Sequence, residues 1–322
     1  MIDYSVVVPT RDRRERLARL LQALGRQNLE PERFEVVAVD DGSADGTAEF
    51  LLEWQRQSPE RRKLKRWPGR GPASARNAGI LEARGRIIAF TDDDCEPEPG
   101  WLAALVQALE QNPAWVGVGG ETLPPADPGL ISRYINTQCV MRTPEIKNGE
   151  VLHLQTNNAA LLRSPLLEAR GFDESFPHAG GEDWDLSRRL RASGQRLGYA
   201  AEARVVHHHR HTLAGFIRTY YHYGQGEVTM LRHESKLRQI LRSFWRLRLF
   251  FTAPLIPFRI LAFWPKKDLS RSEKLLFPCL ESLREFVHHL GYFRRLPAAL
   301  RRQPCLGFQE VESRKEKCQN NH

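Results

Sequence analysis

The chain has 322 residues, of which 41% are hydrophobic and 27% are charged. This composition excludes an intrinsically disordered chain and a bundle of membrane-spanning helices. Basic residues exceed acidic ones by 9 overall, but the excess lies in residues 204–322, which hold 22 basic and 9 acidic residues, whereas residues 1–203 are slightly acidic. A nucleic-acid-binding protein normally carries its basic residues on the folded surface that contacts the nucleic acid, whereas here they lie in the C-terminal segment. We therefore expect no nucleic-acid partner.

The N-terminal 120 residues alternate strand and helix patterns. The predicted strands are residues 6–8, 36–39, 87–90 and 115–118. The predicted helices are residues 17–24, 47–57, 72–83 and 101–110. Continuous apolar strands separated by helices predict an α/β fold, with a mostly parallel, Rossmann-like sheet covered by helices on both faces. A basic connection, residues 58–71, separates the second and third of these helices.

The pattern becomes weaker after residue 122. Residues 123–155 are predicted to form an irregular excursion near the site. Two helices follow, one that starts at Ser164 and ends before Gly171, and one from Glu182 to Gly194. Residues 205–206 form a last predicted strand. From residue 212 onward aromatic and basic residues intermingle in helical stretches, so we place a domain boundary near His211.

The N-terminus and the cysteines bear on the compartment. The chain enters an apolar run at once, without a basic segment or a small-residue cleavage site, so we expect no secretory signal. The cysteines are Cys95, Cys139, Cys279, Cys305 and Cys318. They form no Cys-x-x-Cys pair, which favours reduced thiols and a cytoplasmic protein. Residues 247–264 are apolar but contain two prolines and two arginines, so we expect that they do not cross a bilayer.

Acidic residues follow two of the predicted strands directly. Asp40 and Asp41 follow the second strand, and Asp92, Asp93 and Asp94 follow the third. The carboxyl ends of parallel strands lie at one edge of a sheet, where ligands bind. Adjacent carboxylates repel one another unless a cation is present, and oxygen ligands of this kind suit Mg²⁺ or Mn²⁺. We therefore predict a metal site, with a solvated acidic turn as the alternative.

A glycine-rich helix entry carries two arginines. Its small residues, 69–79, let the backbone approach a ligand, and Arg76 is placed to neutralise a diphosphate. An ordinary helix start is the alternative. Asp41 is suited to accept hydrogen bonds from a nucleobase or a ribose. A turn and N-cap role for residues 40–43 is the alternative, and it is compatible with that binding. No glycine fingerprint of a dinucleotide-binding or P-loop protein is present, which disfavours those chemistries.

Two further segments carry reactive side chains. Residues 180–185 combine a glycine pair, paired carboxylates at a helix start, and Trp184, which offers an apolar face to a sugar ring. A carboxylate here suits a general base, although helix capping by Asp183 with a core tryptophan is the alternative. Four histidines lie between His207 and His211. One of them is placed to complete a metal coordination shell, with a surface tract as the alternative.

Taken together, five segments resemble the family-2 glycosyltransferases, which are inverting enzymes of the GT-A fold. The segments are residues 6–10 (VVVPT), 39–43 (VDDGS), 75–79 (ARNAG), 90–94 (FTDDD) and 181–186 (GEDWDL). The resemblance covers about residues 3–227. It implies a catalytic domain over residues 1–211, with the donor-binding half in about 1–120 and the acceptor half in about 121–211. Residues 212–322 then form a helical, basic C-terminal extension.

The resemblance also implies substrates, a cofactor and roles for single residues. The donor would be a nucleotide-diphosphate sugar, and the cofactor a divalent cation, Mn²⁺ or Mg²⁺. The donor-binding residues would be Pro9, Thr10, Asp41, Arg76, Asp92 and Asp93. The metal ligands would be Asp94 and His207. Asp183 would be the catalytic base, with Glu182 and Trp184 beside the acceptor, which is a glycan, a lipid-linked molecule or a small molecule.

The sequence departs from the family pattern in two places. Arg11 and Asp12 stand where many members carry Tyr-Asn, which affects the nucleoside contacts of that loop. The Gln-x-x-Arg-Trp signature of processive members is absent, because Lys63 precedes Arg66-Trp67 at the first position. This absence favours transfer of a single sugar over polymer synthesis.

The alternatives to this function are a nucleotidyltransferase that makes sugar nucleotides and a catalytically inactive, membrane-associated binding protein. The C-terminal extension bears on the second. Four arginines flank four aromatic residues: Arg238, Arg242, Arg246 and Arg248 beside Phe244, Trp245, Phe250 and Phe251. This composition suits docking at an anionic surface on the inner face of the cytoplasmic membrane. Packing of these aromatics on the catalytic domain is the alternative.

Overall fold

A computed structural model describes residues 2–137, 145–176, 178–208, 212–231, 264 and 269–300. The strands are β1 (Tyr4–Thr10), β2 (Phe34–Asp40), β3 (Arg62–Arg66), β4 (Ile87–Phe90), β5 (Cys95–Pro97), β6 (Trp115–Leu123), β7 (Ala159–Leu162) and β8 (Arg196–His207). The helices are α1 (Arg14–Leu24), α2 (Thr47–Arg56), α3 (Pro72–Glu82), α4 (Trp101–Gln111), α5 (Leu130–Thr137), α6 (Arg163–Glu168), α7 (Glu182–Ala192), α8 (Leu213–Met230) and α9 (Arg271–Leu300).

The strands form one eight-stranded sheet in the order β3-β2-β1-β4-β7-β6-β8-β5. The pairs β3–β2, β2–β1, β1–β4 and β6–β8 are parallel. The pairs β4–β7, β7–β6 and β8–β5 are antiparallel. The prediction of an α/β sheet flanked by helices is confirmed, and the sheet is a mixed one: its first four strands in sequence, β1 to β4, are all parallel, and β6–β8 is a further parallel pair.

Side chains of the central strands alternate between two hydrophobic cores. Val6 and Val8 face a core that contains apolar residues of α1, α2 and α4, whereas Val7 faces a core built with α3, α6 and α7. This alternation follows from the two-residue repeat of a strand. Because both faces are covered, the strands are apolar without interruption, which is the pattern that identified them in the sequence.

A third cluster joins the C-terminal helices to the rest of the chain. Tyr134 of α5 packs edge-on against Phe216 of α8 and Phe277 of α9, with ring centroids 5.8 and 5.5 Å apart. Tyr220 and Val287 are buried in the same cluster. The helices that follow residue 211 therefore pack on the segment between β6 and β7.

Four elements lie where the sequence pattern was weak. β3 lies inside the basic connection 58–71, and α5 inside the excursion 123–155 that we expected to be irregular. β5 and β7 have only 3 and 4 residues. β3 carries four basic residues and little apolar surface, so its sequence lacks the strand signal and its pairing with β2 alone defines it.

Some predictions fall outside the described residues. They concern the aromatic and basic cluster 238–251, the apolar stretch up to residue 263, the domain boundary near residue 211, and Cys139, Cys305 and Cys318. Cys95 and Cys279 are free thiols. In the part of the chain that the structure describes, no helix combines the length and apolarity needed to cross a membrane.

Candidate active site

The site begins at the carboxyl ends of β1, β2 and β4. Thr10 at the end of β1 pairs in register with Asp40 at the end of β2. Its hydroxyl donates a hydrogen bond to the Asp93 Oδ2 atom, 2.9 Å away, and its carbonyl accepts one from the Asp41 amide. Thr10 therefore connects the two acidic clusters, as the parallel arrangement of the strands predicts. Pro9 precedes it and is buried within β1.

β5 and β8 bring a histidine to the acidic cluster. Cys95 of β5 pairs in register with His207 of β8, and the His207 Nε2 atom lies 3.1 Å from the Asp94 Oδ1 atom. Ligand atoms of Asp94, Cys95 and His207 all lie within 4.8 Å of one another. Carboxylate oxygens suit Mg²⁺ and Mn²⁺, and imidazole is a common metal ligand. The residues at this point therefore fit the predicted divalent cation.

Burial and neighbouring charges perturb the pKa of each group in this cluster. Burial alone would raise the pKa of Asp94, but His207 and two arginines hold it well below its usual range. Burial also opposes protonation of His207, and Asp94 overrides this effect, so the pKa of His207 is raised. For Asp93 burial prevails, and with the nearby Asp94 charge it raises the pKa to about 6 despite contact with Arg13.

Two arginines at the start of α1 face these carboxylates. The Arg13 Nη1 atom lies 2.5 Å from the Asp93 Oδ1 atom and 3.0 Å from the Asp94 Oδ2 atom. One turn later, the Arg16 Nη1 atom lies 3.5 Å from the same Asp94 oxygen. The repulsion among the adjacent carboxylates is thus offset by the chain's own cations.

Arg76 ties the acidic cluster to the start of α7. Its guanidinium is buried, with a side chain only 3% exposed. It donates to the Asp92 Oδ1 atom and to the Glu182 Oε1 atom, both at 2.8 Å. Glu182 is buried as well, and its other oxygen accepts from the Gly180 amide. Arg76 therefore holds two carboxylates in place and does not project into solvent as an open cation.

Glu182 is paired with Arg76, whereas the Asp183 carboxylate forms no ion pair within 4.0 Å among the described residues. It follows Glu182 in the first turn of α7, and one of its oxygens accepts from the Trp184 amide. Burial, and then the Glu182 charge, raise the pKa of Asp183 to about 7. A carboxylate with a pKa near the working pH is suited to accept a proton.

Trp184 lies at the surface beside Asp183. Its side chain is 45% exposed, which rules out the alternative of a core tryptophan. The His153 ring stacks on it with centroids 3.9 Å apart and an interplanar angle of 18°. One face of the indole is thus covered by His153, and burial lowers the pKa of this histidine. The pair forms an aromatic wall at the start of α7.

Asp41 organises the glycine-rich loop that leads into α3. Its two carboxylate oxygens accept hydrogen bonds from the Arg70 and Gly71 amides at 2.9 and 2.8 Å. Burial raises the pKa of Asp41, and these amides oppose the increase. The carboxylate therefore fixes the loop beside the end of β2.

Helix α8 packs directly on the loop before α7. A Cβ atom at Gly226 would lie 1.6 Å from the Gly180 carbonyl oxygen, so only glycine allows this approach. The Tyr223 ring lies against Gly180 in the same way, within 2.7 Å of a Cβ built there. Gly180 and Gly181 adopt φ values of +140° and +105°, which favour glycine. The C-terminal helices therefore support the backbone that presents Asp183.

The sequence did not single out Arg13, Arg16, His153 or Tyr223. Arg13 and Arg16 belong to an ordinary basic helix start, and His153 lies in the segment with the weakest pattern. Tyr223 lies in the C-terminal extension, which the family resemblance places outside the catalytic domain. An excess of arginine immediately after the first strand was the only available signal for the first two.

Comparisons with known proteins agree with this geometry. The family model described as glycosyl transferase family 2 matches residues 5–169, and the chain belongs to this family. A pre-mycofactocin glycosyltransferase of Mycobacterium tuberculosis (strain CDC 1551 / Oshkosh) is 29% identical over 248 residues, which cover 75% of this chain and 50% of that protein. A validoxylamine A glucosyltransferase of Streptomyces hygroscopicus subsp. limoneus is 31% identical over 62% of this chain and 50% of that protein.

This chain spans about half the length of these two curated relatives. Among solved structures, the mannosyltransferase PcManGT from Pyrobaculum calidifontis, in complex with GDP-Man and Mn²⁺, matches with a TM-score of 0.64 at 21% identity, over 89% of this chain and 86% of that one. S. aureus TarS 1-349 matches with a TM-score of 0.54 at 15% identity, over 91% and 92%. The predicted family and GT-A fold are confirmed.

Proposed function

We propose that this protein transfers one sugar from a nucleotide-diphosphate sugar to an acceptor hydroxyl, with inversion and with a divalent cation. The observation that carries the proposal is the arrangement around Arg76. This buried arginine links Asp92, next to the metal-ligating set, with Glu182, next to Asp183. A diphosphate beside Asp92 and an acceptor beside Asp183 would then lie on two sides of Arg76.

The donor would lie along the acidic edge of the sheet. Pro9, Thr10 and Asp41 would line the nucleoside pocket, and Asp92 and Asp93 would lie near the ribose and diphosphate. In this arrangement Arg76 would contribute by fixing Asp92. Asp94 and His207 would hold Mn²⁺ or Mg²⁺, which when bound would neutralise the charge that develops on the leaving diphosphate. PcManGT, of the same fold, was solved with GDP-Man and Mn²⁺.

Asp183 would remove the proton from the acceptor hydroxyl. As the acceptor oxygen forms its bond to the sugar C1 atom, the bond from C1 to the diphosphate oxygen breaks on the opposite face, and the nucleoside diphosphate leaves with the electron pair. Attack from the opposite face inverts C1. Trp184 and Glu182 would orient the acceptor, the first by stacking on a sugar ring and the second through its fixed position beside the base.

The C-terminal helices would hold the enzyme at an anionic membrane surface, which would bring it to a glycan or lipid-linked acceptor. Exposed apolar side chains on α9 and beside it support this location: Leu275, Leu276, Phe286, Leu290 and Trp264. Lys274 lies 5.9 Å from the Trp264 ring centroid, and basic side chains beside exposed aromatics favour anionic headgroups. Cosedimentation with anionic and neutral vesicles tests it: equal binding to both, or to neither at low salt, would reject docking.

Two measurements test the function. Thermal shifts with nucleoside diphosphates and nucleotide sugars, with and without Mn²⁺, would identify the donor as the ligand that raises Tm only with metal. Product analysis by NMR with that donor and candidate acceptors would then give the anomeric configuration. A product of inverted configuration is expected. Product from sugar phosphate and nucleoside triphosphate would instead identify a nucleotidyltransferase, and metal-dependent binding with no product in either assay would identify an inactive binding protein.

A further inference from the structure

Both carboxylate oxygens of Asp94 already contact cationic or protonatable groups of the chain. Asp94 Oδ1 faces the His207 imidazole at 3.1 Å, and Oδ2 faces Arg13 at 3.0 Å and Arg16 at 3.5 Å. The Asp94 side chain is only 10% exposed. A divalent cation at Asp94 would therefore lie within a few ångströms of the Arg13 guanidinium, in a place where little water screens their repulsion.

The position of Arg13 makes it able to change partners. It is the N-cap residue of α1, and its side chain forms no capping hydrogen bond with the helix. Its guanidinium bridges Asp93 and Asp94 while 24% of its side chain remains exposed to solvent, so part of it is open to a ligand beside the acidic cluster. Guanidinium groups bind phosphate oxygens through paired hydrogen bonds. A diphosphate in that space would offer Arg13 an alternative anion.

We propose that Arg13 is the internal counter-ion of the metal site: it pairs with Asp94 when no donor is bound and moves to the diphosphate when metal and nucleotide bind together. This inference rests on the proposed function. The affinity for metal then depends on the nucleotide, because the diphosphate draws away from Asp94 the arginine that repels the cation. By linkage, the metal must raise the affinity for nucleotide by the same factor.

The test is Mn²⁺ binding, followed by the electron paramagnetic resonance signal of free Mn²⁺, for the full chain with and without UDP or GDP. In the wild type we expect weak binding of Mn²⁺ alone and at least tenfold tighter binding with the preferred nucleotide. Arg13→Gln should bind Mn²⁺ alone about tenfold more tightly, and its gain on adding nucleotide should shrink by a similar factor. Arg13→Lys keeps the charge and should bind Mn²⁺ alone as weakly as the wild type.

Arg14→Gln is the matched control. Arg14 is the next residue of the same helix start, is exposed, and lies over the Phe50 ring. Its substitution therefore removes the same charge from the chain without altering a contact to Asp94. It should leave both affinities unchanged. Arg16→Gln should act like Arg13→Gln but more weakly, and it provides the measurement if Arg13→Gln does not fold.

Three outcomes would overturn the inference. Equal Mn²⁺ affinity in wild type, Arg13→Gln and Arg16→Gln, with nucleotide coupling intact in all three, would reject the counter-ion role and leave the proposed function standing. The same tightening in Arg14→Gln would reduce the effect to net charge. A wild type that binds no Mn²⁺ with either nucleotide, and gives no thermal shift with other nucleotide sugars, would reject the proposed function itself.

Discussion

Replacing Asp183 by asparagine tests the proposed base in two ways, because the carboxylate that would supply activity also lowers stability. Burial and the adjacent Glu182 charge raise the pKa of Asp183 to about 7, against about 3.9 for an unperturbed aspartate. The folded chain therefore binds this proton more tightly than the unfolded chain does. The stability that the protonated group contributes is present below about pH 4 and is lost as the pH rises through 7.

The magnitude follows from the two pKa values. A difference of about three pH units corresponds to about 4 kcal/mol at about 1.4 kcal/mol per unit. Asp183 keeps partial contact with solvent, which screens part of this cost, so we expect about 1 to 3 kcal/mol. The amide of Asp183→Asn is neutral at every pH. The variant should therefore have a higher Tm than the wild type at pH 8, and the difference should shrink to about a third at pH 5 and disappear only below about pH 4.

The activity should change in the opposite direction. Loss of a positioned base lowers the rate by about 10²–10⁴-fold, while binding of Mn²⁺ and nucleotide should remain as in the wild type. Wild-type kcat/KM should itself fall about tenfold for each pH unit below 7, as Asp183 of the free enzyme is protonated. Differential scanning fluorimetry at both pH values and release of nucleoside diphosphate measure these effects. Turnover within tenfold of the wild type, or a lower Tm at pH 8, would refute the reasoning.

Asp185→Asn is the control for this experiment. Asp185 lies two residues further along α7 and is buried, but its oxygens accept from Arg188 and Arg189 at 2.9 and 2.7 Å. Removing this charge breaks two ion pairs. The variant should therefore lose stability at pH 8, the opposite sign to that of Asp183→Asn.

Three further predictions concern the loop before the base, the metal site and the proposed acceptor contact. Gly226→Ala should lower kcat at least tenfold, because its Cβ would lie 1.6 Å from the Gly180 carbonyl oxygen and must displace the loop before Asp183. Gly100→Ala is the control: nothing lies within 4 Å of the new atom, so this variant should have wild-type kinetics. Asp94→Ala should abolish the increase in nucleotide affinity that Mn²⁺ produces, measured by calorimetry, and an undiminished increase would exclude Asp94 as the main ligand. Trp184→Ala should raise the acceptor KM with little change in donor KM, since its half-exposed indole is the proposed contact for the acceptor. Equal increases in both would argue against that role.

The parts of the fold that the sequence predicted are those with strong local signals. The apolar runs that became β1, β2 and β4 are buried on both faces, so each carries its strand signal without reference to a partner. Asp41 and Asp92–Asp94 were found because residues directly after such strands meet at one edge of the sheet. For these residues, their position directly after a strand is enough to predict where they lie in the fold.

The missed elements depend on partners far away in the chain. β7 has four residues and is defined by antiparallel pairing with β4 and β6. Arg13 became part of the site through contact with carboxylates 80 residues later, and Tyr223 through packing on Gly180. No local sequence pattern specifies such contacts, because their free energy comes from burial and charge pairing that exist only in the folded chain.

The family, the α/β class and the acidic edge of the sheet follow from consecutive residues, because strand burial and the chemistry of a strand end are local properties of the chain. What surrounds that edge depends on the tertiary structure. It buried Arg76 between Asp92 and Glu182 and placed two arginines on Asp93 and Asp94. It also packed α8 behind the base. Charges that repel or attract across long sequence distances acquire their pKa values and roles only at the distances that the fold imposes.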